Sequence, residues 1–265
     1  MTDTALDALR AERELVIELC RSLTPDEWSA PSDCAGWTVQ DVIAHMASIF
    51  HPSPIVMAKA AKEYDDSERV NDVLVERRRD WSPQRQLDEY ETWSRRAIPM
   101  LGLGQRAPLK NVGFNMGDLG THPMHLLADA AVFDHYTHLR FDLLAPGGPL
   151  DRPPLPQDQL RLAPTAAWTL ALIEPLNQET LAWVDEPIRL ELTGPGATTT
   201  TIDRTAGRVT TDDRTPKSEA AAIVRSPVSD WVQWSTGRTP WDQCRVELDG
   251  DSDLGQRLCQ TMHVV

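Results

Sequence analysis

Three ionisable side chains lie where helices should be apolar, and their types are those of a metal site. His45 lies on the apolar face of one predicted helix, three residues after Val42. Asp134 and His138 lie four residues apart on the apolar stripe of a later helix. That stripe also carries Leu127, Ala131 and Phe141. Two ionisable groups, one helical turn apart, therefore point where the sequence predicts a core.

A divalent metal ion would account for this arrangement. A buried carboxylate without a partner costs several kcal/mol, so Asp134 needs a cation or strong hydrogen-bond donors. An ion bound by Asp134, His138 and His45 would have two histidines and one carboxylate, with positions left open, as in catalytic transition-metal sites. Two alternatives stay open: Asp134 and His138 could form a simple ion pair, and His135 replaces Asp134 if the helix is rotated.

The elements that must position these residues are helices in the first half of the chain. Apolar residues from Leu6 to Leu23 recur at helical spacing. Thr38 is a good N-cap for the helix of His45, and Ser82–Pro83 opens a third helix. Thr121–His122–Pro123 is predicted to open the fourth helix, which ends near Leu143. Four helices joined by long connections predict a four-helix bundle.

The second half has a different pattern. Residues 145–164 contain six prolines and are predicted to form a linker between a bundle over 1–144 and an α+β domain over 165–265. In that domain a helix is expected over 165–185 and a later one from Ser226–Pro227 to Gly237. Short strands are predicted at 188–192, 199–203, 208–211, 221–225 and 246–248, and a last helix at 254–262.

The composition restricts the possible partners. The 265 residues include 26 Lys and Arg against 40 Asp and Glu, which gives a net charge of −14. Such a chain repels nucleic-acid phosphates and anionic lipid, so neither nucleic acid nor a membrane surface is expected as a partner. No apolar run approaches about 18 residues, and no secretory signal is seen, so the cytoplasm is the expected location. The sequence contains no Cys-x-x-Cys pair, so neither a zinc knuckle nor a thioredoxin motif is predicted. Of the four cysteines, Cys34 lies in a predicted loop.

The segment Cys34–Met46, CAGWTVQDVIAHM, resembles the pattern C-x-G-W-T-V-x-D-V-x-A-H-L. That pattern is typical of the mycothiol-dependent maleylpyruvate isomerase family, within the DinB-like metalloenzyme superfamily. The resemblance implies a bundle that binds a divalent metal, zinc or a similar transition metal, through His45, Asp134 and His138. Asp134 takes a place where the family usually has Glu or His, so its arm is shorter.

The resemblance extends to the second half, where many members carry a sterol-carrier-protein-like α+β domain. Its recurrent pieces resemble Trp231–Arg238 and Val246–Asp251. In the isomerase an arginine at this Gly-Arg position matters for activity, which implies a catalytic role for Arg238. Without the resemblance, Arg238 is a charge that favours the C-terminus of a helix.

These features predict an enzyme that uses a metal ion and a low-molecular-weight thiol, mycothiol, with a small-molecule substrate. The metal lowers the pKa of the thiol, because the thiolate is the nucleophile. Addition and later loss of the thiol gives cis–trans isomerisation, and retention gives S-transfer. One alternative is a non-catalytic protein that binds a small ligand or metal on the same bundle. A weaker one is a metal-dependent hydrolase that activates water.

Overall fold

A computed structural model describes residues 4–51 and 66–265. The chain divides into two units, Met1–Pro156 and Gln157–Val265, and the division falls inside the proline-rich segment 145–164. The first unit is mainly helical, and the second combines helices with a five-stranded sheet. This arrangement confirms the helical first half and the mixed second half predicted from the sequence.

The described part of the first unit contains six α-helices and one short hairpin. The helices are α1 (Thr4–Ser22), α2 (Pro25–Ser29), α3 (Val39–Ser48), α4 (Ser67–Glu76), α5 (Pro83–Gly104) and α6 (Leu127–Thr137). Helix α6 continues directly into a π-helical turn, His138–Leu143. The hairpin pairs β1 (Gly113–Asn115) with β2 (Thr121–Pro123) in antiparallel register.

Local sequence signals explain where the helix of His45 begins. The Thr38 side chain accepts a hydrogen bond from the Asp41 amide at 3.2 Å, and the Asp41 carboxylate accepts one from the Thr38 amide at 2.9 Å. This reciprocal capping box satisfies two amides that the first turn of α3 leaves unpaired. It confirms the cap predicted at Thr38 and fixes the start of the helix.

The long helices bury a common core. Helix α1 packs against α5 and α6, and α3 packs against α4 and α5. The largest fully buried side chains of this unit are Leu9, Ile43, Met46, Tyr90, Tyr136, Leu139 and Leu143. The core also contains an ion pair, in which the Arg140 guanidinium donates to both carboxylate oxygens of Glu12 at 2.8 and 2.9 Å. Arg140 also donates to the Pro156 carbonyl at 2.7 Å, which joins the end of the unit to its core.

Two features of the first unit differ from the sequence prediction. Thr121–Pro123 does not open a helix, because these residues pair with Gly113–Asn115 as a strand. A 3₁₀ turn over Met124–Leu126 follows, and α6 begins only at Leu127. Helix α4 was not predicted. Its N-cap is Asp66, whose side chain accepts a hydrogen bond from the Glu68 amide at 2.9 Å.

The second unit begins with α7 (Gln159–Ala171) and α8 (Ile173–Leu176) and continues into the sheet. Its other elements are β3 (Ile188–Thr193), β4 (Thr198–Thr205), β5 (Arg208–Asp212), β6 (Ala222–Pro227), α9 (Val228–Ser235), β7 (Glu247–Gly250) and α10 (Ser252–Thr261). The strand order is β5-β4-β3-β6-β7, with β3 and β6 parallel and the other pairs antiparallel. All five predicted strands are present, within two residues at each end.

The helix predicted over 165–185 begins earlier and ends earlier than expected. Helix α7 starts at Gln159, because Asp158 caps it by accepting a hydrogen bond from the Arg161 amide. The chain leaves helical structure after Leu176, where the Asn177 side-chain amide donates to the Ile173 carbonyl at 3.0 Å. Leu181 and Val184 are still buried, so their apolar spacing reflects core packing in turns rather than a helix.

Within 4–51 and 66–265, no helix has the length and apolar character that crossing a bilayer requires.

Candidate metal centre

His45, Asp134 and His138 come together in the first unit. One potential ligand atom from each lies within 4.8 Å of the others. The Nε2 atom of His45 is 2.8 Å from Asp134 Oδ1, and His138 Nε2 is 3.6 Å from the same oxygen. The imidazole of His45 comes from α3, and Asp134 from α6. The apolar faces of these helical segments therefore meet in the core, and the three ionisable side chains lie next to one another there.

The site is buried and carries unsatisfied polar atoms. The side chains of His45, Asp134 and His138 are 6, 18 and 13% exposed. His45 Nδ1 and Asp134 Oδ2 are buried and have no hydrogen-bond partner among the described residues. A buried acceptor left unpaired is costly, so each such atom in a native structure calls for an explanation such as an ion.

In the protein without metal, His45 and Asp134 each shift the pKa of the other toward the charged form. Burial alone would lower the pKa of His45, but the neighbouring Asp134 carboxylate outweighs it and raises the pKa. Burial alone would raise the pKa of Asp134, but His45 and then His138 outweigh it and lower the pKa well below its usual range. The carboxylate is therefore ionised at neutral pH, as a metal ligand must be.

A hydrogen bond fixes the orientation of His138. Its Nδ1–H donates to Asp142 Oδ2 at 2.7 Å, which leaves the Nε2 lone pair facing Asp134. Cys34 Sγ lies 3.7 Å from the same Nδ1 atom. Cys34, His138 and Asp142 form a second group of potential ligand atoms within 4.8 Å.

The indole of Trp37 packs against both histidines. Its ring centroid is 5.2 Å from His45 and 6.5 Å from His138. The indole N–H donates to Asp72 Oδ1, on α4, at 3.1 Å. Sequence reasoning missed this role of Trp37, because a loop side chain that lies against histidines from two separate helical segments leaves no local sequence signal.

His135 is also one turn from His138, and its Nδ1 lies 3.5 Å from Asp134 Oδ2, but the ring is engaged by other groups of the core. Its Nδ1–H donates to the Ala131 carbonyl at 2.9 Å, and its Nε2 is 2.9 Å from the Tyr90 hydroxyl. Both ring nitrogens are therefore used within the core, where His135 is fully buried. Burial is the main reason that its pKa is lowered, and this keeps the ring neutral. The geometry therefore groups Asp134, and not His135, with His45 and His138.

The donor set fits a divalent metal ion. Two imidazole nitrogens and one carboxylate are the ligands of many catalytic zinc sites. Ligand atoms about 2.1 Å from a tetrahedral ion lie roughly 3.4 Å apart, and the observed 2.8 and 3.6 Å bracket this value. The unsatisfied Asp134 Oδ2 adds a further acceptor. The shorter Asp134 side chain thus still reaches both histidines.

Arg238 belongs to the second unit, directly after α9. Gly237 has a φ of +71°, and the Arg238 amide donates to the Gln233 carbonyl at 2.9 Å. This is the usual way in which a glycine in the left-handed region ends a helix. The side chain of Arg238 is half-buried.

Comparisons with known proteins find one matching family and similar crystal structures. Residues 9–135 match the profile of the family described as "Mycothiol maleylpyruvate isomerase N-terminal domain". The crystal structure of the mycothiol-dependent maleylpyruvate isomerase is similar, with a TM-score of 0.53 and 17% sequence identity. A histidine-to-alanine mutant of that isomerase gives a TM-score of 0.53 at 16% identity. Both similarities cover 92% of this chain and 91% of the other, and at such identities they establish the fold alone. No curated protein matches.

Proposed function

Because residues 9–135 match the mycothiol maleylpyruvate isomerase N-terminal domain family, we propose that this chain belongs to that family and is a metal-dependent enzyme that uses a thiol cosubstrate. The thiol is mycothiol, and the substrate is a small electrophilic molecule. The observation that carries this proposal is the convergence of His45 Nε2, Asp134 Oδ1 and His138 Nε2 within one buried cluster. The proposal includes a DinB-like four-helix bundle, a sterol-carrier-protein-like second domain and a cytoplasmic location.

The residues of the cluster would hold zinc or a similar divalent transition-metal ion. When bound, such an ion lowers the pKa of a thiol so that the nucleophilic thiolate forms near neutral pH. Asp134 supplies the negative charge of the ligand set. Asp142 keeps His138 in the tautomer whose Nε2 lone pair is available. Burial of the cluster limits access of water to the nucleophile.

Two outcomes are possible once the thiolate adds to an electrophilic carbon. In isomerisation, the new C–S bond allows rotation about a former double bond, and the thiol then leaves as that bond re-forms. In S-transfer, the C–S bond stays, and the neighbouring carbon of the former double bond, which received the electron pair, takes up a proton. Both outcomes need the same ligands, so the proposal covers both. Arg238 is proposed to pair with a carboxylate of the substrate, since a guanidinium binds carboxylates through two parallel hydrogen bonds.

Metal analysis followed by an activity assay tests the proposal. Protein purified without chelator should contain about one divalent ion per chain, and His45→Ala should lose it. The wild-type protein should then convert maleylpyruvate, or a related electrophile, only when mycothiol is added. His125→Ala is the matched control, because the His125 side chain donates to the Lys110 carbonyl and is not part of the cluster, so this variant should keep both properties. Wild-type protein without bound metal would contradict the proposal.

A non-catalytic binding protein on the same fold is the second candidate. The observation in its favour is the 2.8 Å hydrogen bond between His45 and Asp134, which gives the buried carboxylate a partner without an ion. Such a protein would bind little metal and show no thiol-dependent turnover. A metal-dependent hydrolase would instead bind metal and turn over without any added thiol.

A further inference from the structure

The two histidines of the candidate centre are restrained differently at the nitrogen that faces away from Asp134. His138 Nδ1 donates to Asp142, whereas His45 Nδ1 is buried and has no hydrogen-bond partner in the described part of the chain. A histidine that binds a metal almost always donates its second N–H, and this bond fixes the plane of the ring. Rotation about the last side-chain bond of histidine is otherwise broad. His45 therefore lacks the usual restraint on its ring.

Trp37 is placed to supply that restraint. Its ring centroid lies 5.2 Å from that of His45, with an angle of 46° between the planes. The His45 imidazole also makes an edge-to-face contact with the His138 ring, and the two ring centroids are 5.0 Å apart. The contact with Trp37 is made between the two rings and does not use Nε2, so it would leave that atom available to a metal ion.

Trp37 is itself fixed at both ends, as a residue that positions another must be. The indole N–H donates to Asp72 Oδ1 at 3.1 Å. Its backbone amide donates to the Cys34 carbonyl at 3.0 Å, and its carbonyl accepts from the Ser32 amide at 2.9 Å. A large planar ring held at its backbone and at its far edge can rotate little, so the imidazole beside it is confined as well.

We infer that Trp37 is a positioning residue that fixes the ring plane of His45 for metal binding, and that Asp72 holds the indole in place. This inference rests on the proposed function, since it requires His45 to bind a metal ion. The other account of Trp37 is purely structural: as the residue before the Thr38 cap, it would form a hydrophobic staple that helps to start the helix. A residue with only that role contributes to stability and leaves the metal affinity of the folded protein unchanged.

Metal binding by the full-length protein separates the two accounts without any activity assay. Zinc affinity is measured by competition with a chromophoric chelator, and the Co²⁺ absorption spectrum reports the geometry of the ligands. Trp37→Leu should weaken zinc binding about 10–100-fold, the usual effect of losing a residue that orients a ligand, and should change the Co²⁺ spectrum. Trp37→Phe keeps an aromatic ring and should retain most of the affinity.

The tether is tested in the same way. Asp72→Asn keeps an oxygen that accepts the indole N–H and should bind zinc nearly as tightly as the wild type, whereas Asp72→Ala should bind more weakly. Trp81→Leu is the matched control, because the Trp81 ring packs against the Arg85 guanidinium at 3.7 Å instead of a histidine. This control should bind metal with the wild-type affinity and spectrum.

Several outcomes would overturn the inference. A folded Trp37→Leu protein with wild-type zinc affinity and Co²⁺ spectrum would show that Trp37 has only a structural role. If Trp37→Leu does not fold, wild-type affinity and spectrum in Asp72→Ala would overturn the inference instead. Wild-type protein that binds no metal would overturn the proposed function as well, so the two failures are distinguishable.

Discussion

The His138 Nδ1–H donates to Asp142 Oδ2 at 2.7 Å, and this hydrogen bond decides which nitrogen of His138 faces Asp134. The two residues lie one turn apart in the π-helical segment that follows α6. Asp142 is 3% exposed, so the bond forms where water cannot replace it. A carboxylate behind the imidazole also makes the opposite nitrogen a stronger ligand.

We therefore expect Asp142→Ala to weaken zinc binding about 10–100-fold, because His138 loses its orientation and part of its basicity. Asp142→Asn retains an oxygen that accepts the N–H and should lose less. Competition with a chelator measures both affinities. Asp88→Ala is the control, since Asp88 is exposed and contacts Gln84 on the same helix. Equal zinc affinity in Asp142→Ala and wild type would contradict this role.

Asp134→Asn should remove metal binding almost entirely. The substitution keeps the size of the side chain but removes the negative charge of the ligand set, so affinity should fall more than about 100-fold, beyond the effect of losing an orienting partner. Metal content after dialysis measures the result. A folded Asp134→Asn protein that keeps one ion per chain would exclude Asp134 as a ligand and would make His135 the next candidate.

The sequence was sufficient for features that depend on local spacing. The capping box of Thr38 and Asp41 lies within four residues, and it begins α3 where predicted. Asp134 and His138 were placed on one stripe because residues four apart share a helix face. Their approach to His45 followed from the assumption that apolar faces meet in one core, and the 2.8 Å contact agrees with it.

The features that sequence reasoning missed depend on contacts between distant segments. The strand Thr121–Pro123 exists only because Gly113–Asn115 lies beside it, and a three-residue strand leaves no periodicity to detect. Trp37 contacts histidines from α3 and from the segment after α6, together with Asp72 from α4. Such a contact requires the positions of three elements, which local propensity does not supply.

Breaking the buried ion pair between Glu12 and Arg140 should strongly destabilise the helical unit. Both side chains are almost fully buried, at 0 and 3% exposed. Arg140→Met leaves the carboxylate buried without its cation and should cost about 3–5 kcal/mol in the free energy of unfolding. The double variant with Glu12→Leu should recover part of this loss. Urea denaturation measures both, and Arg10→Met, which breaks an exposed pair with Asp7, should change stability by about 1 kcal/mol or less.

Glu89 should make stability depend on pH in the acid range. Burial alone would raise its pKa, but hydrogen bonds from Arg78 and His51 outweigh it and lower the pKa below its ordinary value of 4.5. The folded state thus favours the carboxylate, so the stabilisation is present above pH 4.5 and is lost as the pH falls through the lowered value. Glu89→Gln removes this contribution.

The difference in unfolding free energy between wild type and Glu89→Gln should be largest at neutral pH and should shrink below pH 4.5. Urea denaturation at a series of pH values measures it. Glu76→Gln is the matched control, because Glu76 is exposed and its pair with Arg79 lies at the surface. A difference that stays constant from neutral to acid pH would mean that Glu89 has no lowered pKa.

The role of Arg238 can be separated from metal binding, because Arg238 is not proposed as a ligand. Arg238→Ala should keep the bound metal and lower kcat/KM by about 100-fold, which corresponds to a few kcal/mol of transition-state stabilisation from one guanidinium–carboxylate pair. Arg238→Lys keeps the charge without the two parallel donors, so its loss should be intermediate. Arg214→Ala is the control, since the Arg214 side chain is 86% exposed and pairs with Asp212 at the surface. Full thiol-dependent activity in Arg238→Ala would remove Arg238 from the catalytic groups, whereas loss of metal in that variant would mean that the substitution acts through the fold.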